Sequence, residues 1–219
     1  GVGTGPHGVR GRATCVAMGT FSADWLALRD PADAAARASA LVDQIREACG
    51  GDSRGSDFSR DSSGSRLKPL PQGTLRSEPL SIVDLGAGTG ANFRYLAPRL
   101  GGAQHWLLVD SDAELLARAR AALPQWAEGL GAKAQARERE ITIAAGDFTC
   151  SVETVELDLA RNLAALAVPR GCLVTASALL DLVSARWLEM LADKCSAAEA
   201  TVLFALTYDG RMTLEPAEP

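Results

Sequence analysis

From Leu80 onward, segments with a strand-like pattern of apolar residues alternate with segments that have a helical pattern. Short apolar runs of strand length are followed by longer segments whose apolar positions recur at helical spacing. The predicted strands are 81–84, 106–110, 140–145, 172–177 and 201–207, with predicted helices at about 91–100, 111–123, 155–166 and 184–191. This alternation predicts right-handed crossovers and a mostly parallel sheet. The predicted fold class is therefore α/β, a doubly wound, Rossmann-like sheet with helices on both faces.

The pattern divides the chain into four regions. Residues 1–17 show little periodicity and are expected to be a disordered extension, with Met18 as a plausible natural start. Residues 18–49 form a predicted helical region, and residues 50–79, rich in glycine and serine, a flexible linker or insertion. Residues 80–219 are then the ligand-binding domain.

Within the helical region, Asp30-Pro31 has the composition of a helix start. Aspartate can cap the first free N–H groups, and proline suits the first helical position. The sequence therefore predicts a helix from Asp30 to about Glu47, with a separate short turn at Trp25 and Leu26.

The segment that joins the first predicted strand to its helix is the most informative one. An apolar run reaches Asp84 and passes into a loop with glycine at every second position, Gly86, Gly88 and Gly90. Glycine has no Cβ, so the backbone can approach a ligand closely. The helix that follows directs its free N–H groups toward the same place. This arrangement predicts a pocket for a nucleotide-like ligand.

Other polar residues follow the apolar runs of later predicted strands. In a parallel sheet, ligands bind beyond the carboxyl ends of the strands. The residues expected to line that edge together are Asp84, Asp110, Asp147 and Ser177. Ser111 and Glu114 have the spacing of a capping box, which would leave the Asp110 carboxylate free for a ligand.

Together these segments resemble the class I S-adenosylmethionine-dependent methyltransferase family, over roughly Leu80 to Thr207. The matching motifs are Asp84-x-Gly86-x-Gly88-x-Gly90 for the first, Val109-Asp110 for the second, Gly146-Asp147-Phe148 for the third and Ser177-Ala178-Leu179-Leu180 for the start of the fourth. The resemblance implies S-adenosyl-L-methionine as the cofactor and a class I methyltransferase as the enzyme.

The resemblance also implies a role for individual residues. Asp110 would hold the ribose hydroxyls, and Asp147 and Phe148 would contact the adenine. The backbone N–H groups of residues 88–92 would bind the carboxylate of the methionine portion, and Asp84 its ammonium. The implied cofactor-binding residues are Asp84, Gly86, Ala87, Gly88, Thr89, Gly90, Asn92, Asp110, Ser111, Asp147, Phe148 and Ser177. No catalytic residue is predicted, because holding the acceptor in line with an activated methyl group can supply much of the catalysis.

Composition narrows the range of partners. The net charge of −5 argues against a broad nucleic-acid surface and favours a small-molecule acceptor, with Trp25, Arg29 and the loop after Ser177 as candidate contacts. No apolar run approaches the ~20 residues that cross a bilayer. Five scattered cysteines without paired spacing suggest reduced thiols in a cytoplasmic protein, and two histidines give little basis for a metal site.

Two other functions fit part of the pattern. Gly86-x-Gly88-x-x-Ala91 also matches a dinucleotide-binding loop, which would suit an NAD(P)-dependent oxidoreductase. Only about a dozen residues follow Thr207, too few for the helix and strand pair that usually end the family's sheet. The chain is therefore expected to be a fragment or a curtailed member, and a non-catalytic cofactor-binding protein is the second alternative.

Overall fold

The computed structural model describes residues 22–48 and 78–206. The predicted extension at 1–17 lies outside these residues, as does nearly all of the predicted linker at 50–79. The secondary structure elements are α1 (Ala23–Ala36), α2 (Ser39–Ala48), β1 (Leu80–Leu85), α3 (Ala91–Leu100), β2 (Gly102–Asp110), α4 (Ala113–Gly129), β3 (Lys133–Ala136), β4 (Glu140–Ala144), β5 (Phe148–Glu156), α5 (Leu159–Asn162), β6 (Leu173–Ser177), α6 (Ala185–Ala197) and β7 (Thr201–Ala205), with short 3₁₀ turns at Leu163–Ala165 and Leu180–Leu182.

The described strands form one sheet of seven, in the order β3-β4-β5-β2-β1-β6-β7. Five of them run parallel, from β5 through β2, β1 and β6 to β7. Strands β3 and β4 form an antiparallel hairpin at one edge, and β4 is also antiparallel to β5. The chain leaves β1 toward β2 on one side and later returns to β6 on the other. In sheets of this kind ligands bind in a crevice at such a reversal, which here falls at the carboxyl end of β1.

A hydrophobic core lies on each face of the sheet. On one face α2, α3 and α4 pack over Ile82 and Trp106 of the sheet, and the Phe93 ring of α3 meets the Trp106 ring edge to face at 5.0 Å. On the other face α5 and α6 cover Leu85, Val109 and neighbouring aliphatic residues. Burying apolar side chains on both faces is the main stabilising contribution in such a sheet. The predicted α/β fold with helices on both faces is confirmed.

The third parallel strand is not the one that the sequence predicted. The apolar run at 140–145 forms β4, and the strand parallel to β2 is β5, which takes up the start of the predicted helix at 155–166. Only one face of β5 is well buried, so its apolar residues alternate with polar ones, as at Phe148, Cys150 and Val152. That alternation is typical of a strand. It directly follows the Gly146-Asp147 turn, which by its sequence pattern is predicted to end the preceding strand and not to start a new one.

Three helix boundaries also differ from expectation. Helix α1 begins at Ala23, since the Ser22 side chain accepts a hydrogen bond from the Trp25 N–H at 3.1 Å, and it continues through Pro31. It ends at Arg37, whose extended backbone separates α1 from α2. Helix α4 continues past Pro124 to Gly129. Capping by Ser22 therefore sets the start of α1, and Asp30 lies inside the helix, where it pairs with Arg94.

Candidate functional site

The glycine loop forms a tight connection between β1 and α3. All three alternating glycines have positive φ angles, +64° at Gly86, +52° at Gly88 and +76° at Gly90. A Cβ at Gly86 would also lie 3.3 Å from Leu179 Cδ1. Residues with a Cβ rarely adopt this backbone conformation, so the loop requires glycine here. The Ala87 N–H donates to the Val109 carbonyl at 3.0 Å, which fixes the loop against β2.

Asp84 lies directly below this loop and is completely buried. Its Oδ1 accepts a hydrogen bond of 2.7 Å from the Asn92 side-chain amide, while Oδ2 has no partner among the described residues. Burial raises the pKa of Asp84 to about 7, and the Asn92 hydrogen bond and the Arg37 charge only partly oppose this rise. A buried carboxylate oxygen without a donor is costly, so this position suits a ligand that brings one.

Asn92 in the first turn of α3 joins the two strands that flank the crevice. Its amide nitrogen donates to Asp84 on β1 and, at 3.1 Å, to the Thr175 hydroxyl on β6. The Thr175 hydroxyl in turn donates to the Leu203 carbonyl of β7 at 2.8 Å. The sequence predicted only that the Asn92 backbone N–H would bind ligand. The structure adds that its side chain connects this buried hydrogen-bond network.

Arg37 extends into the same network from the break between α1 and α2. Its guanidinium donates to Asn92 Oδ1 through Nη1 and to the Ser177 hydroxyl through Nη2, the latter at 2.9 Å. The guanidinium carbon lies 4.5 Å from the centre of the Tyr95 ring. Burial lowers the pKa of Arg37, although the nearby Asp84 carboxylate opposes the change. No sequence motif pointed to Arg37, because its partners are 55 and 140 residues away along the chain.

Asp110 ends β2 at the same edge of the sheet. Its Oδ2 accepts from the Gly88 N–H at 2.8 Å and its Oδ1 accepts from the Asp112 N–H at 2.9 Å. A carboxylate offers about four acceptor positions, so two bonds hold it in place and leave capacity for neighbouring hydroxyls. The adjacent helix α4 is capped by Asp112 and not by the predicted Ser111, which is exposed. The prediction that Ser111 caps this helix is therefore wrong, and the role of Asp110 in ligand binding stays a prediction.

Asp147 and Phe148 do not lie at this edge, and the expectation that Asp147 lines it is wrong. Phe148 pairs with Gly102 at the start of β2, and the Asp147 carbonyl accepts from the Gly102 N–H at 2.9 Å. The reason is the β4–β5 hairpin, which puts the turn between these strands at the opposite end of the sheet. Phe148 is a buried core residue on the α4 side, 6.4 Å from the Trp126 ring.

The residues that follow the third parallel strand are Leu157 and Asp158, which sequence reasoning missed. Glu156 is in register with Asp110, and the Leu157 N–H donates to the Asp110 carbonyl at 2.8 Å. Asp158 then caps α5 through bonds from the Ala160 and Arg161 N–H groups. The available signal was the alternation of apolar residues from Phe148 onward, ending in an acidic residue.

Ser177 does lie at the carboxyl edge, where it ends β6 and accepts the hydrogen bond from Arg37. The next residue, Ala178, has a φ of +53°. A left-handed conformation costs alanine about 1 kcal/mol, and such strained positions cluster at functional sites.

Helix α1 covers the outer side of the glycine loop. The Leu26 side chain lies 3.5 Å from the place that a Gly88 Cβ would take. Arg94 of α3 donates to the Thr89 carbonyl and forms an ion pair of 2.7 Å with Asp30. Asp30 therefore attaches α1 to the loop. Trp25 and Arg29, which stack at 4.7 Å, belong to the same helix.

A separate hollow of about 450 Å³ lies at the other end of the strands. It is lined by residues from the starts of β2 and β5 and from the hairpin, including Gln104, Thr142 and Cys150. Burial raises the pKa of the Cys150 thiol to about 12, so it stays protonated and unreactive. Residues 22–48 and 78–206 contain no group of three side chains arranged to hold a metal ion. The charged side chains that could bind a ligand are those at the carboxyl edge of the sheet, and not those that line this hollow.

Comparison with known proteins gives matches among solved structures alone. No family model matches the chain, and no curated protein matches it. An S-adenosylmethionine-dependent methyltransferase from Mesorhizobium loti is 24% identical, with 57% of this chain and 46% of that chain covered and a TM-score of 0.33. Phosphoethanolamine N-methyltransferase 1 from Haemonchus contortus, solved with phosphoethanolamine and S-adenosylhomocysteine, is 16% identical over 58% and 22%, with a TM-score of 0.36.

The large terminase of a thermophilic bacteriophage is also similar, 11% identical over 59% of this chain and 34% of that chain, with a TM-score of 0.33. The chain thus spans less than half the length of each of these three proteins. The doubly wound fold rests on the sheet order and register of the chain itself.

Proposed function

We propose that the chain binds S-adenosylmethionine at the carboxyl edge of its sheet and transfers the methyl group to a small-molecule acceptor. The observation that carries the proposal is the buried Asp84, with an open oxygen beneath a loop of left-handed glycines. A second carboxylate, Asp110, ends the neighbouring strand. A ligand with an ammonium and a sugar diol would supply donors to both.

The residues present fit this cofactor. Asp84 Oδ2 would accept from the ammonium of the methionine portion, and Asp110 would accept from the ribose hydroxyls. Leu157 and Asp158 take the place that Asp147 and Phe148 were expected to fill, at the end of the third parallel strand. They are the candidates for contact with the adenine.

The cofactor, when bound, supplies a methyl group that is already activated. The role of the protein is then to hold the acceptor in line with the methyl group and to exclude water, which can account for much of the rate increase. Trp25 and Arg29 of α1, with the loop after Ser177, are the proposed acceptor contacts. The net charge of −5 favours a small acceptor over nucleic acid.

Direct titration tests the proposal. S-Adenosylmethionine and S-adenosylhomocysteine are added separately to the folded 219-residue chain in a calorimeter, with folding checked by circular dichroism. Saturable binding of both at a one-to-one ratio is expected. Folded protein that binds neither would overturn the proposal.

Two alternative functions are separated from this proposal by further assays. An NAD(P)-dependent oxidoreductase would use Asp110 for a ribose and the loop before Ala91 for the pyrophosphate, and would enhance the fluorescence of a reduced dinucleotide. A non-catalytic cofactor-binding protein would bind S-adenosylmethionine without transferring labelled methyl to any component of a cell extract. The glycine loop has no lysine between Gly86 and Phe93, which disfavours a phosphate-binding ATPase loop.

We also propose a cytoplasmic location from the cysteines. Cys150, Cys172 and Cys195 are buried free thiols, as expected where thiols stay reduced. Within residues 22–48 and 78–206, no helix combines the length and the apolar character needed to cross a bilayer.

A further inference from the structure

Two buried polar atoms near the crevice lack partners among the described residues, Asp84 Oδ2 and Arg37 Nε. The two side chains carry opposite charges, and both are hydrogen-bonded to the Asn92 side-chain amide, Arg37 to its oxygen and Asp84 to its nitrogen. Their charges influence each other, yet they form no direct ion pair within residues 22–48 and 78–206. Unsatisfied buried groups of this kind are rare in native proteins and usually indicate a missing partner.

The partner that suits both groups is a zwitterion. An ammonium has three donors and no acceptor, so it complements a carboxylate oxygen, and a carboxylate accepts from a guanidinium fork. An α-amino acid carries both charges, on two groups bonded to the same carbon atom. A ligand with only one charge would leave either Asp84 or Arg37 without its complement.

The structure also weakens the expected role of the peptide amides. The Gly88 N–H already donates to Asp110, and the Gly90 N–H donates to the Ala87 carbonyl at 2.8 Å. Leu26 lies against Gly88. Two of the amides predicted to bind the ligand carboxylate are therefore engaged, and Arg37 is the nearby cation that can replace them.

We propose that Arg37 is a ligand-binding residue, which takes the carboxylate of the amino-acid group whose ammonium binds Asp84. This inference rests on the proposed function and adds a residue from the α1–α2 break to the cofactor site. To take a ligand carboxylate, the guanidinium gives up or shares its bonds to Asn92 and Ser177. Its stacking on Tyr95 keeps it in place during that exchange.

The test compares ligands that differ only in their amino-acid end. S-Adenosylhomocysteine carries both charges, its decarboxylated analogue keeps only the ammonium, and 5′-methylthioadenosine keeps neither. Each is titrated calorimetrically into wild type, Arg37→Met and Arg99→Met. The Arg99 guanidinium stacks 3.9 Å from the same Tyr95 ring and donates to the Tyr95 carbonyl, away from the Asp84–Asn92 network, so Arg99→Met is the matched control.

In Arg37→Met, the dissociation constant of S-adenosylhomocysteine is expected to rise by about tenfold to a hundredfold. The values for the decarboxylated analogue and for 5′-methylthioadenosine should change by less than about threefold, and Arg99→Met should resemble wild type for all three ligands. Equal weakening of all three ligands by Arg37→Met, or no weakening of any, would overturn the inference.

The wild-type protein gives a second measurement that needs no variant. The decarboxylated analogue should bind it about tenfold to a hundredfold more weakly than S-adenosylhomocysteine. Equal affinity would overturn the role of Arg37 even if Arg37→Met failed to fold. Failure of the proposed function is a distinct result, since wild type would then bind none of the three ligands.

Discussion

Two acidic turns, at opposite ends of the same sheet, look alike in sequence and differ in what they can do. Asp110 and Asp147 each follow an apolar run. Asp110 ends a strand that runs parallel to β1, so it lies beside the glycine loop and its carboxylate receives two backbone N–H groups. Asp147 sits in the turn of an antiparallel hairpin and is exposed. An acid after an apolar run therefore indicates a ligand site only when the direction of the strand is known.

The two ends also differ in their electrostatics. At the carboxyl edge, Asp84 is fully buried with one oxygen open, and Arg37 carries the opposite charge nearby. At the other end, Asp147 lies on an exposed turn and His105 forms a solvent-facing pair with Glu153 at 3.4 Å. A buried, incompletely satisfied charge gains most from a ligand, because water does not already satisfy it.

The largest expected effect is at Asp84. Asp84→Asn keeps the size of the side chain but removes the charge that pairs with the ligand ammonium. The dissociation constant of S-adenosylhomocysteine should rise by at least about a hundredfold, measured by calorimetry at about pH 8. Asp147→Asn, the matched change at the other end of the sheet, should leave the affinity unchanged. Similar losses in both variants would contradict the distinction between the two ends.

A smaller loss is expected at Asp110. Asp110→Asn retains one acceptor oxygen for the backbone but loses the charged acceptor for the ribose hydroxyls. Binding of 5′-methylthioadenosine, which keeps the ribose, should weaken by about tenfold to a hundredfold in the same assay. Since this ligand lacks the amino-acid end, Asp84→Asn should affect it much less. If Asp110→Asn bound 5′-methylthioadenosine as tightly as wild type, Asp110 would not be a ribose-binding residue.

Glycine substitutions compare the β1–α3 loop with the β4–β5 turn through stability. Gly86→Ala places a Cβ at a φ of +64°, 3.3 Å from Leu179, and should lower the free energy of unfolding by about 1–2 kcal/mol or more. Gly146→Ala at the opposite turn has no positive φ and no atom within 4 Å of the added Cβ. It should change stability by less than about 0.5 kcal/mol in urea titration. Equal effects would mean that the left-handed turn at Gly86 is not required.

A dependence on pH is also expected. Burial raises the pKa of Asp84 to about 7, above its value in the unfolded chain. The folded protein therefore holds a proton that the unfolded chain has lost, and this contribution to stability falls as pH rises from about 4 through about 7. A ligand ammonium favours the ionised form, so ligand affinity should rise over the same upper range. Thermal melts and titrations of wild type and Asp84→Asn check both trends, and a wild-type response no steeper than that of the variant would contradict them.

The parts of the site that the sequence could predict are those set by neighbouring residues. The strand, the glycine turn and Asp84 lie within one short segment, and Asp110 follows from the next apolar run. The direction of β4 could not be predicted, because a short apolar run looks the same in a parallel and an antiparallel strand. Arg37 was also out of reach, since its contact with Ser177 spans 140 residues and depends on how α1 and α2 pack.

The most direct test is a crystal structure of the chain grown with S-adenosylhomocysteine. The ligand is expected at the carboxyl edge, with its ammonium on Asp84, its ribose on Asp110 and its carboxylate on Arg37. A ligand bound instead at the Asp147 end of the sheet, or a carboxyl edge that stays empty at saturating ligand, would contradict the proposed site.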